Sequence, residues 1–303
     1  MNRLIKIIMA VSLLSLAAAI VCSFSNEMPD KEEKNIYGGS RNIECLYYNK
    51  TDFMNVPSYM IRDAGRVQGC IVPHHLVAKN LIHEVFQNVS KNKYKTVVLI
   101  GPDHESKDKG KIFTTISDWQ TPTGILKTDS ETTKLLLQQG IATENDDKLT
   151  TEHSTSSIIP FVKHYLGDVN VVTLVITKQV TLEDVNKLAD ALSNFLNTED
   201  TLFVASVDFS HYLDLDEANK MDIMSMEAIE NEDINKIMDF TNDNLDSPMS
   251  IITMLKLMGR AKARKTVLNR SNSQLILKES IKETTSYVTY LFYEKQNASS
   301  SKP

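Results

Sequence analysis

The chain has 303 residues, 42% of them hydrophobic and 24% charged, enough for one large domain or two small ones. A formal net charge of -6 excludes the basic face of a general nucleic-acid binder. The local basic run Gly259–Lys265 reads as a solvated surface, and three cysteines are too few for a disulfide framework.

Residues 1–25 differ from the rest. Arg3 and Lys6 precede a stretch without charge from Ile7 to Phe24, with the small residues Ala17, Ala18 and Ala19 near its end. This predicts a signal peptide, or an N-terminal membrane anchor if it is not cleaved. The two basic residues would hold the amino end inside and place the body outside, exported and either secreted or anchored. Cys22 invites lipidation, but Val21 stands where a small residue belongs. Residues 26–44 are polar and read as a linker, 45–295 as one α/β domain, and 296–303 as a disordered tail.

Short runs rich in Val, Ile, Leu, Thr and Tyr predict strands at 69–73, 95–101, 112–117, 169–176, 201–207, 264–269 and 286–293. Helices are predicted at 76–90, 129–139, 155–165, 182–196, 216–230, 232–241 and 248–258. Thr181 and Asp184 have the spacing of a capping box, and Pro248 suits a first helical turn. Runs such as "TVVLI" and "VNVVTLVI" lack polar alternation. They predict a helix-flanked mixed or parallel sheet, covered on both faces.

Three of these strands run directly into chemistry. "GCIVPHH" ends in His74 and His75, "VVLIGPDH" in Asp103 and His104, and "FVASVDFSH" in Asp208 and His211. Ligand sites of open α/β sheets lie beyond the carboxyl ends of the strands, so the fold itself would gather these loops. Several imidazoles with a carboxylate suit a transition metal. His74, His104, His211 and Asp208 are the expected ligands. Glu152 and His153 precede a helix, where a neutral imidazole can move protons and Glu152 can orient it or act as a base. His75 and His164 are assigned to structure, His83 to the surface, Trp119 to packing, and Cys70 to the core. Gly-rich phosphate loops and a GxSxG elbow are absent from the sequence.

The segments "GCIVPHHLVA", "LIGPDHES", "WQTPTG", "EHSTSSIIPFVKHY" and "ASVDFSHY" occur in the order found in Memo-like proteins. The chain resembles in particular the bacterial branch called AmmeMemoRadiSam system protein B, over about residues 65–293. The resemblance implies a fold similar to class III extradiol dioxygenases. It also implies a pocket of His74, His104, Asp208 and His211 that is a vestigial or an actual metal site, with His153 at the same pocket; the expected metal is iron or copper ahead of zinc. Where animal Memo proteins have a cysteine before the late helix, this chain has Asp246 and Ser247, which shifts the preference toward harder ions. Ser156 and Ile158 make one wall less polar than is usual in the family. Three functions follow: a metal-dependent redox enzyme, a module that binds a small molecule or peptide, and a metal-dependent hydrolase with Glu152 or Asp208 as base. The family name also links these proteins with radical SAM enzymes, a partnership that an exported body would make awkward.

Overall fold

The computed structural model describes residues 42–61, 64–105, 109–197, 199–279 and 282–295. The expected leader, most of the expected linker and the expected tail lie outside the described residues. Among the described residues no helix is long and apolar enough to cross a membrane.

Among the described residues eleven strands form the sheet: β1 (Asn42–Glu44), β2 (Val67–Val72), β3 (Thr96–Pro102), β4 (Ile112–Thr114), β5 (Asp118–Thr121), β6 (Gly124–Thr128), β7 (Thr143–Glu144), β8 (Asn170–Ile176), β9 (Thr201–Ser206), β10 (Arg264–Asn272) and β11 (Ser286–Tyr293). The main order is β1-β5-β6-β8-β3-β9-β2-β11-β10, with β4 and β7 off this path. Neighbours from β6 to β2 run parallel, while β11 and β10 close one side antiparallel. The fold is therefore the mixed, helix-flanked α/β sheet that the sequence predicts.

Successive residues of the central strands feed two different cores. Val98, Ile100, Leu174 and Phe203 pack on one face with helices Leu182–Phe195 and Pro248–Arg260. Val97, Leu99, Val175 and Val204 pack on the other with helices Lys79–Val89 and Ile159–Leu166. Both faces are buried, which is why these strands carry apolar side chains on both faces rather than alternating with polar ones. Thr181 and Asp184 close the expected capping box, and Pro248 opens the late helix.

Several elements differ from expectation. Residues 42–44, read as linker, form β1 beside β5. Residues 118–128 form a hairpin that pairs Trp119 with Leu126 and turns at Gly124, where φ is 120°. The helix expected at 155–165 is two pieces, His153–Ser156 and Ile159–Leu166, because Pro160 cannot donate a helical hydrogen bond and instead starts a new helix. His83, expected on the surface, is buried among Phe53, Phe161 and Tyr165. Its ring nitrogens meet Tyr165 Oη and Asp52 O, each at 2.9 Å. That pairing removes the usual reason for an imidazole to seek water.

Candidate metal centre

Strands β3, β9 and β2 are adjacent, parallel neighbours, so their carboxyl ends meet at one rim. His104, Asp208 and His74 each lie two residues beyond those ends. Asp246, just before the helix that starts at Pro248, joins them from one face. Asp246 N–H donates to Asp208 O at 3.2 Å, and Asp208 N–H donates to Asp246 Oδ2 at 3.3 Å, so the two loops are tied together.

His74 Nε2 lies 3.1 Å from Asp246 Oδ2 and 3.7 Å from Asp208 Oδ2. His104 Nε2 lies 3.6 Å from the same Asp246 oxygen. Two donors bound at about 2.1 Å to one ion lie about 3.0 Å apart at a right angle and about 3.4 Å apart at the tetrahedral angle. The observed separations match that spacing. Asp246 Oδ1 is buried with no hydrogen-bond partner, as expected of a carboxylate that awaits a cation.

Hydrogen bonding settles which nitrogen of each ring faces the centre. Ser206 Oγ lies 2.5 Å from Ser154 O, a carbonyl that can only accept. The one hydroxyl proton is committed there, so Ser206 Oγ, 3.2 Å from His74 Nδ1, must accept from it. His74 therefore carries a proton on Nδ1 and aims Nε2 at the carboxylates. His104 is fixed in the same sense. Its Nδ1 meets Glu152 Oε1 at 2.9 Å, its backbone N–H donates to Glu152 Oε2 at 2.8 Å, and its Nε2 faces Asp246. Such outer partners set the tautomer and orientation of metal-binding imidazoles.

Charge follows from the same contacts. Burial opposes ionisation of His104, but Asp246 and Glu152 outweigh it and lift the imidazole to about 10. Burial likewise opposes the charge on His74, yet Asp208 and Asp246 raise it above its ordinary value. Burial would raise Glu152, but its bonds to His104 and to Ser154 N–H hold it down at about 2. Asp246 is held well below the usual carboxylate range by both imidazoles, against its own burial. The carboxylates thus favour the protonated form of both imidazoles. His153 is the exception: burial and the neighbouring His74 and His104 charges lower it to about 4, so it is neutral at pH 7. Its ring lies beside that of His104, the centroids 4.2 Å apart and the planes tilted by 31°.

The structure thus brings together His74, His104, Asp208, Glu152 and His153. Glu152 is an orienting partner of His104, locked in four contacts, rather than a free base. Two groups of donors have the spacing to hold an ion, His74 with His104 and His153, and His74 with Asp208 and Asp246, and His104 Nε2 links them through its 3.6 Å approach to Asp246. His211, expected as a ligand, is in neither. Its backbone N–H donates to Asn242 O at 2.9 Å and its ring packs on Tyr212, whose left-handed φ of 60° marks where the loop turns. Asp103 faces Lys148 Nζ at 3.1 Å. Asp246 was not among the expected ligands, although its place in the family's cysteine position was the signal.

The fold and the rim define an α/β protein with a His/carboxylate centre at the ends of three parallel strands. The family model of Memo-like proteins matches residues 48–291, and the chain belongs to that family. A MEMO1 family protein of Nitrosopumilus maritimus is 24% identical over 204 residues, 66% of this chain and 74% of that one. One from Aquifex aeolicus is 28% identical over 54% of this chain and 62% of its own length. One from Saccharolobus islandicus is 30% identical over 50% of this chain and 55% of its own. Most of these alignments thus span little more than half of the relative. The crystal structure of an uncharacterized Escherichia coli K12 protein, JW3007, shares the fold at 15% identity with a TM-score of 0.50, covering 73% of this chain and 98% of that one.

Proposed function

We propose that this Memo-like protein binds a redox-active transition metal, iron or copper, on His74, His104 and Asp246, and carries out redox chemistry on a small molecule there. The observation that carries this reading is the convergence of two Nε2 atoms on one oxygen of Asp246, at 3.1 and 3.6 Å. Two imidazoles and one carboxylate with open positions are the donor set of non-haem ferrous oxygenases, which puts iron ahead of copper. Cys45 and Cys70, the cysteines among the described residues, are buried in the core with thiols pushed up by burial, so no thiolate pulls the site toward soft ions. A ferrous or cuprous ion here would supply one-electron chemistry.

The chain's own residues supply the rest. Ser206 and Glu152 hold the two ring nitrogens in place. His104 and His153 are part-exposed, their side chains 31% and 40% accessible, so the centre opens to solvent on that side. A neutral His153 beside His104 can take up a proton from a bound molecule.

The group of His74, His104 and His153 supports a second reading, since three imidazoles suit zinc and hydrolysis. It lacks the buried carboxylate oxygen that both His74 and His104 approach, at 3.1 and 3.6 Å, which favours the first. Anaerobic loading with equal ferrous iron, cuprous copper and zinc, followed by elemental analysis, tests the two. Retention of iron or copper supports redox chemistry, and retention of zinc alone transfers the site to hydrolysis. Affinity for a small molecule or peptide with no metal uptake would leave a binding module. The export reading rests on residues 1–25 alone and is tested by cell fractionation.

A further inference from the structure

A cavity of about 470 Å³ lies against the carboxyl ends of the strands, walled by Val180, Phe240, Leu245, Asp246 and Met249. Its size falls in the range of small-molecule sites, about 300–1,000 Å³. A smaller hollow continues from it along Pro102 and Ile176, at the ends of β3 and β8, and shares Lys178, Asp246 and Met249 with it. The cavity therefore runs from solvent toward the rim that bears the metal ligands. Asp246 belongs to both structures: its carboxylate is turned to His74 and His104 while the residue forms part of the cavity wall.

Three charged side chains besides Asp246 line this space: Lys178, Asp243 and, in the inner hollow, Asp103, which is buried and paired with Lys148 Nζ at 3.1 Å. Lys178 and Asp243 are both exposed, and Lys178 borders both the cavity and the inner hollow whereas Asp243 borders the outer cavity alone. Neither forms an ion pair with a described residue. At the inner hollow the two carboxylates are already paired, Asp103 with Lys148 and Asp246 with His74 and His104, which leaves Lys178 as the cation there that can meet a ligand. The amino end of helix Pro248–Arg260 forms the same inner wall, and its dipole favours the same sign of ligand charge.

We propose that this cavity binds a small molecule with an apolar body and one anionic head group, the head lying beside Lys178 at the inner end. That the molecule is the substrate of the centre rests on the function proposed above. The binding itself rests on the cavity.

Anilinonaphthalene sulfonate, an apolar body with one anionic group, is a suitable probe, and N-phenylnaphthylamine is its uncharged counterpart. Both are titrated by fluorescence into the full chain, metal-free and metal-loaded, and into Lys178→Glu and Met238→Asp variants whose melting temperatures are checked first. Both substitutions fall at exposed positions. The expected result is that Lys178→Glu weakens the sulfonate by about tenfold or more and leaves the neutral probe unchanged, while Met238→Asp, at the apolar rim, weakens both. Unchanged sulfonate binding in Lys178→Glu, or equal weakening of both probes, overturns the proposal. Absence of metal uptake with Lys178-dependent binding overturns the metal centre and leaves the cavity assignment. Full metal uptake with Lys178-independent binding does the reverse.

Discussion

Glu152 grips His104 twice, at the backbone N–H with Oε2 and at ring Nδ1 with Oε1, over 2.8 and 2.9 Å. One buried carboxylate thereby fixes both the place of the residue and the direction of its ring. Glu152→Gln keeps the shape but offers an amide in place of one carboxylate oxygen. We expect metal affinity to fall by about 10- to 100-fold, the usual effect of losing an outer partner of a ligating histidine. Competition titration with a chromophoric chelator measures it, and an unchanged affinity would remove Glu152 from the site.

Ser206 controls His74 through a single proton. Ser206→Ala leaves Nδ1 of a buried ring without an acceptor, whereas Ser206→Thr restores the hydroxyl. The alanine variant should lose about tenfold or more in metal affinity, and the threonine variant should recover most of it. Nitrogen chemical shifts of the His74 ring report whether the proton stays on Nδ1.

Metal binding should release protons. In the metal-free protein His104 is lifted from 6.5 to about 10. Its stabilising contribution is complete below pH 6.5 and is lost as pH rises through 10. A metal must displace that proton, so affinity should rise with pH across the same window while the stability of the metal-free protein falls. Glu152 acts at the other end, being lowered from 4.5 to about 2. Its contribution is present above pH 4.5 and is lost as pH falls through 2. Calorimetric titrations in two buffers of different ionisation enthalpy at pH 7 should show net proton release.

Gly101 lies where helix His153–Ser156 crosses β3. A Cβ there would meet Ser154 Oγ at 2.7 Å and Thr155 Cγ2 at 3.0 Å. Gly101→Ala should destabilise the protein by about 1–3 kcal/mol, as overpacking of a core does. It should also weaken metal binding, because the same turn carries Glu152 and His153. A melting curve that matches the parent would show that the turn can yield.

Much of this was legible in the chain. Unbroken apolar runs predict strands buried on both faces, and the His and Asp that follow them fall at carboxyl ends by geometry alone. Asp246 was harder to read. It follows no strand, and its approach to His74 depends on how the late helix packs against the sheet. His211 looked equivalent to His74 in the sequence, but the turn at Tyr212 and the bond to Asn242 carry it elsewhere. The hairpin 118–128 was hidden because Trp119 and Leu126 sit among polar residues, and pairing across the turn is what brings them into the core.

The most direct measurement is elemental analysis of residues 35–303, purified without oxygen, beside His74→Ala, Asp246→Ala and His211→Ala variants. This ligand assignment requires near-stoichiometric iron or copper in the parent and in His211→Ala, and little in the other two. No metal in any of them after reconstitution, or loss in His211→Ala with retention in Asp246→Ala, would contradict it.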